Sequence, residues 1–424
     1  MSTARTAGSD APADELAAAV RDARFVRVLS RSDGAALAAS GVLARACRDL
    51  SIPFQVRAVA DPDPTAVAGD DALTVTVGAP GGDRCLLGDA RPASVTAAAA
   101  ARALDATVDP ALALAGVVAA GRAPSEAGVL LEQATGTGAV ERRPGVGVPT
   151  DDLADGLAHS TLVHASFSGD PAAARAALDG LDLPSPPDDD ARRRVASLVA
   201  LDAAGAPDAS DRSAAAVERV LRPYATPDGP FATLAGYADV LDAVARERPG
   251  TGVALALGHD AHESALAAWR DHGAAAHALV RDAEFARYEG VLVGRIERAE
   301  TPPAPTARLS TAARLVRDFR SPEPVALLVD RGRAAAASVD PVDVGAAMRR
   351  AVAVVRSERP AEDGRDADAT RDSDADATEG TDGTETVGYG DETRGEARFA
   401  RDTRDTNSTQ TTQTTFVDAF REAL

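Results

Sequence analysis

Asp33 and Gly34 end the turn Ser30-Arg31-Ser32-Asp33-Gly34, which joins an apolar run at residues 25–29 to an alanine-rich stretch at 35–50. An acid at the carboxyl end of a strand, opening a helix, stands where open α/β sheets take ligands, and the helix amino terminus favours anions. The same aspartate would equally serve as a helix N-cap, accepting from first-turn N–H groups. Sequence alone leaves both readings open. His259, His262, His272 and His277, with Asp260 and Glu263, are the residue types of a metal site. At 3.6 residues per turn, His262, His272 and His277 do not share a helical stripe, so they are read as solvated helix residues. His159, Ser160, Thr161, His164 and Ser168 are the types a nucleophile relay needs. No Gly-x-Ser-x-Gly elbow frames them, and turn or cap roles are the plainer reading. Arg142-Arg143, Arg349-Arg350 and the triplet at 192–194 offer phosphate contacts. In so acidic a chain, pairing with nearby carboxylates competes with that.

The elements that must carry these groups follow from apolar patterning. Residues 25–29 and Phe54–Val59 read as strands flanking a helix at 35–50, a βαβ unit of a parallel sheet. Leu73–Val77 is a further strand, followed by a glycine-rich loop at 78–89 and helices at 95–104 and 112–120. A mostly helical middle follows, broken by Pro184, Pro186 and Pro187. Strand-like runs return at 252–257, 289–296 and Val325–Asp330, with a helix at 263–281. Residues 359–385 hold almost nothing to bury and are expected to be disordered, with the Thr/Gln run at 407–415 a second such insert. A short amphipathic helix at 416–424 closes the chain.

Composition excludes several activities. The formal charge is −20 and there is no lysine, so every basic side chain is an arginine. A Walker-type phosphate loop, a pyridoxal phosphate imine and the strand lysine of protein kinases are therefore absent. Acid-rich, lysine-free and isoleucine-poor, the chain resembles proteins of salt-in halophiles, where the Debye length falls to about 3 Å at molar salt. The acidity is then read as solvation rather than as a binding surface. No run approaches the roughly 18 apolar residues of a membrane span, and the polar start has no export signature, so a cytoplasmic location is expected. Cys47 and Cys85 form no Cys-x-x-Cys pair, which argues against a cysteine-held zinc site.

Residues 26–59, 145–170 and 224–258 together resemble the DHH-family phosphoesterases, specifically RecJ-like single-strand exonucleases of archaea and the related Cdc45-like branch. The resemblance implies an α/β fold. Its parts are a flexible tail (1–20), a parallel-sheet DHH-like domain (21–150), a helical connector (151–248) and a smaller α/β DHHA1-like domain (249–356). A disordered acidic insert (357–385) and the end of the DHHA1-like domain (386–424) complete the chain.

Active members hold two Mn²⁺ or Mg²⁺ ions with a Ser-His-x-Asp-x-Asp-Gly motif, a strand-end aspartate, Asp-His-His and a later aspartate. This chain retains Asp33 alone as a metal ligand by that correspondence. The other first-motif positions fall on Leu29 and Arg31 or are deleted, Leu73–Val77 ends in Gly78 without an aspartate, residues 81–89 replace Asp-His-His, and Arg122 stands after the helix. One carboxylate cannot neutralise two divalent ions or activate water between them.

The family's Gly-Gly-His-x-x-Ala-Ala-Gly loop corresponds to residues 388–395, with Asp391 in place of the histidine. The nucleic-acid contacts implied are Ser32, Gly34, Gly388, Gly390 and Arg394. The expected function is a catalytically degenerate factor of DNA replication or repair, without cofactor. It would bind single-stranded nucleic acid or replisome proteins such as GINS-type partners, and no membrane. The alternative is an active Mn²⁺- or Mg²⁺-dependent exonuclease or phosphoesterase with atypical ligands drawn from Asp83, Asp89, His159 or His164. A protein-interaction module without nucleic-acid affinity is a third reading; with 3% aromatic residues the supply of stacking platforms is thin.

Overall fold

The structure, a computed structural model, describes residues 12–67, 72–296, 304–358, 387–391, 393–399 and 406–424. The chain forms two units, Met1–Ala278 and Leu279–Leu424. The acidic stretch expected to be disordered lies outside the described residues.

The first unit begins with α1 (Ala13–Asp22), β1 (Val26–Arg31), α2 (Gly34–Asp49), β2 (Phe54–Val59), β3 (Leu73–Val77) and β4 (Arg84–Leu86). Next come α3 (Ala93–Ala103), α4 (Pro110–Ala119), α5 (Val129–Gly136), β5 (Glu141–Arg142), α6 (Leu153–His159), α7 (Pro171–Asp179) and α8 (Asp189–Ala204). It closes with α9 (Ser213–Glu218), β6 (Tyr224–Ala225), α10 (Leu234–Glu247), α11 (Pro249–Ala256) and most of α12 (His262–Asp282). β1 to β4 make a parallel sheet in the order β2-β1-β3-β4, with Val26 opposite both Phe54 and Leu73. Parallel neighbours need crossovers, and α2 supplies the one between β1 and β2. Its alanines are buried on nearly every side, against α3, α4 and α10 as well as the sheet. Small side chains allow that close approach.

The second unit has β7 (Ala283–Tyr288), β8 (Val291–Ile296), α13 (Thr306–Phe319), β9 (Val325–Asp330), β10 (Arg333–Ser338) and α14 (Val344–Glu358). The strands β11 (Val387–Gly390) and β12 (Arg394–Arg398) and the helix α15 (Thr406–Ala423) follow. Its six-stranded sheet runs β11-β12-β10-β9-β8-β7, parallel only between β8 and β9. Phe399, Phe416 and Phe420 stack in its core.

Three expectations are corrected. The apolar run at 252–257 is helical, as α11, and the units divide later than residue 249. Pro249 at the first helical position presets the helix. The tail is not wholly irregular, since α1 buries Leu16, Ala17 and Val20. The Thr/Gln run lies in α15, where burying Phe416, Val417 and Phe420 against α14 overrides its modest helix propensity. The strand expected at 289–296 is found as β8, and it forms a hairpin with β7, with Gly290 at positive φ in the turn.

Candidate functional site

At the carboxyl end of β1, Asp33 caps α2. Its Oδ1 accepts from the Ala36 N–H at 2.8 Å, and its Oδ2 is ion-paired with the Arg31 Nε. The carboxylate is nearly buried, so both oxygens are taken by groups of the chain itself. Gly78 ends β3 at φ +76°, and a Cβ there would lie 3.1 Å from the Arg31 Cβ. A side chain at position 78 would thus crowd Arg31.

The free amino end of α2 is also filled from within. The Gly34 N–H donates to Asp242 Oδ1 at 3.1 Å, and Arg246, one turn along α10, holds Asp242 through Nε and Nη2 at 3.2 and 3.4 Å. Asp242 occupies the place an anionic ligand would take. Gly34 is glycine because α10 passes close by: a Cβ would stand 2.8 Å from the Asp242 nitrogen. Ser32 gives its N–H to the Val59 carbonyl at 2.8 Å, a sheet-edge contact. Arg122, after α4, reaches the Asp89 and Ala90 carbonyls at 3.3 Å and pairs with Glu126 at 3.0 Å. Thus the two arginines singled out in the sequence both serve loops at this end of the sheet.

A pair of divalent ions does not fit these residues. A cation at Asp33 would stand beside the Arg31 guanidinium, a repulsion of ~8 kcal/mol for a doubly charged ion ~4 Å away at an effective dielectric of ~20. Among the described residues, no group of three or more His, Cys, Asp or Glu side chains is placed to hold a metal.

The alternative ligands are spent elsewhere. Asp83 Oδ2 accepts from the Thr74 N–H at 2.8 Å, near the amino end of β3, and so at the opposite edge from Asp33. Asp89 is exposed and contributes its carbonyl to Arg122. His159 and His164 belong to a different constellation, which the sequence reading missed.

That constellation joins α6, α10, α12 and the turn after α6. Asp239 is buried and accepts from Thr161 N at 3.0 Å, from Thr161 Oγ1 at 2.5 Å and from the Trp269 indole N–H at 2.8 Å. Asp155 takes a two-pronged clasp from Arg270 at 2.8 and 2.9 Å and meets His159 Nδ1 at 3.1 Å. Burial raises the Asp155 carboxyl, but Arg270, with help from His159, outweighs it and holds the group below its ordinary range. His277 Nε2 lies 2.9 Å from the Ser160 carbonyl, which can only accept, so Nε2 carries a proton. With both rings neutral, its Nδ1 then accepts from His164 Nδ1 at 3.0 Å.

His272 and His277 are buried, not solvated as expected; His272 pairs with Glu247 at 2.9 Å, while His259 is exposed. Ser168 Oγ accepts from the Ala165 N–H and Ser160 ends α6, the turn and cap roles anticipated. No local spacing announces partners this far apart in sequence. Cys47 is inert by the same logic of burial, which pushes its thiol up to about 11.

In the second unit, the glycines at 388–395 form the β11–β12 hairpin. A Cβ on Gly388 would meet the Met348 carbonyl oxygen at 2.9 Å, and one on Gly395 the Met348 Cγ at 2.7 Å. Close packing on α14 accounts for both, and Gly390 supplies the positive φ before the turn. Asp391 Oδ1 accepts from the Thr393 and Arg394 N–H groups at 2.9 Å, so this acid organises the turn. Arg394 sits in β12 opposite Ala337.

Comparison with known proteins follows this geometry. A family model described as the C-terminal domain of the uncharacterized protein rrnAC1427 matches residues 283–422. The uncharacterized protein rrnAC1427 of Haloarcula marismortui is 46% identical over 350 residues, 80% of this chain and 88% of that protein. Among solved structures, CDC45 from Entamoeba histolytica aligns with a TM-score of 0.58 at 8% identity, over 96% of this chain and 97% of that one. Exonuclease RecJ bound to manganese aligns at 0.48 and 11% identity, over 97% and 95%. The likeness to CDC45 is one of fold, and the DHH-type α/β fold expected from the sequence is the fold found. Among the described residues, no helix is long and apolar enough to cross a membrane.

Proposed function

The chain belongs to the family of the Haloarcula marismortui protein rrnAC1427, and within it we propose a DHH-type scaffold that acts by binding, without hydrolysis, in DNA replication or repair. Its partners are replisome proteins of the GINS type, with single-stranded nucleic acid as a ligand. One observation carries this reading. At the strand end where a RecJ-type enzyme would gather cations, Arg31 covers Asp33 and Asp242 fills the α2 amino terminus. A fold shared with CDC45 agrees with an assembly role. Against the working-nuclease reading, Asp83 accepts from the Thr74 N–H at the other end of the strands and Asp89 lends its carbonyl to Arg122.

The test is co-elution. Full-length protein is mixed with a GINS-type subunit of the same organism and a labelled single-stranded oligonucleotide, at high KCl with Mn²⁺ present. We expect a complex containing the subunit, with the oligonucleotide at full length. No complex, or a shortened oligonucleotide, contradicts the proposal.

A further inference from the structure

The first unit contains an open cavity of about 710 Å³, lined by β5, β6, the start of α8 and the segment 226–232. Pro144, Pro149, Pro227 and Pro230 stiffen its rim. On its floor, His262 stacks on the buried Phe231, with ring centroids 4.8 Å apart. Three arginines line this space, Arg142, Arg143 and Arg192, together with the carboxylates Glu141, Asp151 and Asp189.

Arg143 is half-buried, yet among the described residues its guanidinium has neither an ion pair nor a hydrogen bond. Burial and the charge of Arg192 both push its pKa down, against the opposing pull of Asp151, Glu141 and Asp189. The closeness of the like charges is built into the backbone. Gly145 has φ +121°, and a Cβ there would sit 3.4 Å from the Arg192 Cβ, so the Arg192 stem lies across the segment that carries Arg143. Among the described residues, Arg192 has Asp189 at 3.2 Å as its one ion-pair partner, and that carboxylate is largely exposed. Neighbouring Arg142 is accounted for separately, over the Tyr224 ring at 5.0 Å. Among the described residues the lining carboxylates make no ion pair with Arg143, and an oxyanion joining the two guanidiniums would relieve their repulsion.

We propose that this cavity binds a phosphate-bearing organic ligand, its phosphate bridging Arg143 and Arg192 and its remainder lying along the proline rim and His262. The planar fork of each guanidinium suits phosphate geometry, and the volume is that of a small-molecule site rather than an ion site. The shared chemistry is a phosphomonoester, from a free nucleotide or from the 5′ end of a nucleic-acid strand.

The test titrates full-length protein calorimetrically with inorganic phosphate, adenosine monophosphate, and oligothymidine with or without a 5′-phosphate. We expect the phosphomonoesters to bind, and Arg143→Gln and Arg192→Gln each to weaken binding roughly tenfold or more. The two organic probes distinguish the source: binding of the monophosphate assigns a nucleotide, and preference for the phosphorylated strand assigns a strand end. Arg143→Gln should leave the thermal midpoint of the unliganded protein unchanged or raised, because an unpaired, half-buried charge is removed. Binding of none of the probes overturns the proposal, as does binding that survives both substitutions or an Arg143→Gln protein that is less stable without ligand.

Discussion

Gly273→Ala is expected to destabilise the first unit by ~3 kcal/mol or more, lowering its thermal midpoint by roughly 6 °C. Gly273 lies in α12 where that helix crosses the end of α6, and a Cβ there would stand far inside contact distance of the His159 carbonyl oxygen. Backbone cannot rotate away as a long side chain can, so one helix must shift. That shift would open the contacts of Trp269 and Arg270 to α10 and α6, a turn earlier on the same helix. Trp269 is the only tryptophan and is fully buried, so its fluorescence reports this unit's unfolding directly. A midpoint within a degree or two of the parent protein would mean that the helices are not packed as described.

Asp239→Ala should have an effect of similar size, ~3 kcal/mol, for a different reason. It leaves Thr161 N–H, Thr161 O–H and the Trp269 indole N–H without their acceptor in a buried site. Each orphaned donor costs about 1–3 kcal/mol, partly offset because a buried charge is also removed. Asp239→Asn keeps the shape but turns an amide N–H₂ toward donors, and so should recover only part of the loss. Urea unfolding of the three proteins, followed by far-UV circular dichroism, checks the order parent, asparagine, alanine. Equal midpoints would remove Asp239 from the account of what binds α10, α12 and the turn after α6.

What the sequence made legible was local. The bounds of β2, β3 and β9 match those expected: β3 and β9 are short apolar runs bounded by turns and largely buried, while β2, FQVRAV at the sheet edge, shows the alternation of a half-exposed strand. The Asp33 cap was legible as a side chain three residues from the N–H it accepts. The arginine at position 31 was visible as a substitution, but its pairing with Asp33 needed the turn. Asp242 was out of reach, since nothing near residue 242 refers to Gly34, 208 positions away. The buried histidines were misread because helical periodicity ranks His as polar. Only tertiary contacts, Ser160 to His277 and Glu247 to His272, make burial affordable. The run at 252–257 shows the ambiguity of short apolar segments, which Pro249 could have resolved toward helix.

The central claim is electrostatic, and binding of Mn²⁺ to the intact protein probes it most directly. Titration followed by electron paramagnetic resonance, at a KCl concentration where the chain is folded, should show no stoichiometric, tightly held Mn²⁺ and no difference between the parent and Asp33→Ala. A pair of ions bound per chain and lost in Asp33→Ala would mean that Arg31 yields its place, and the non-hydrolytic reading would fall.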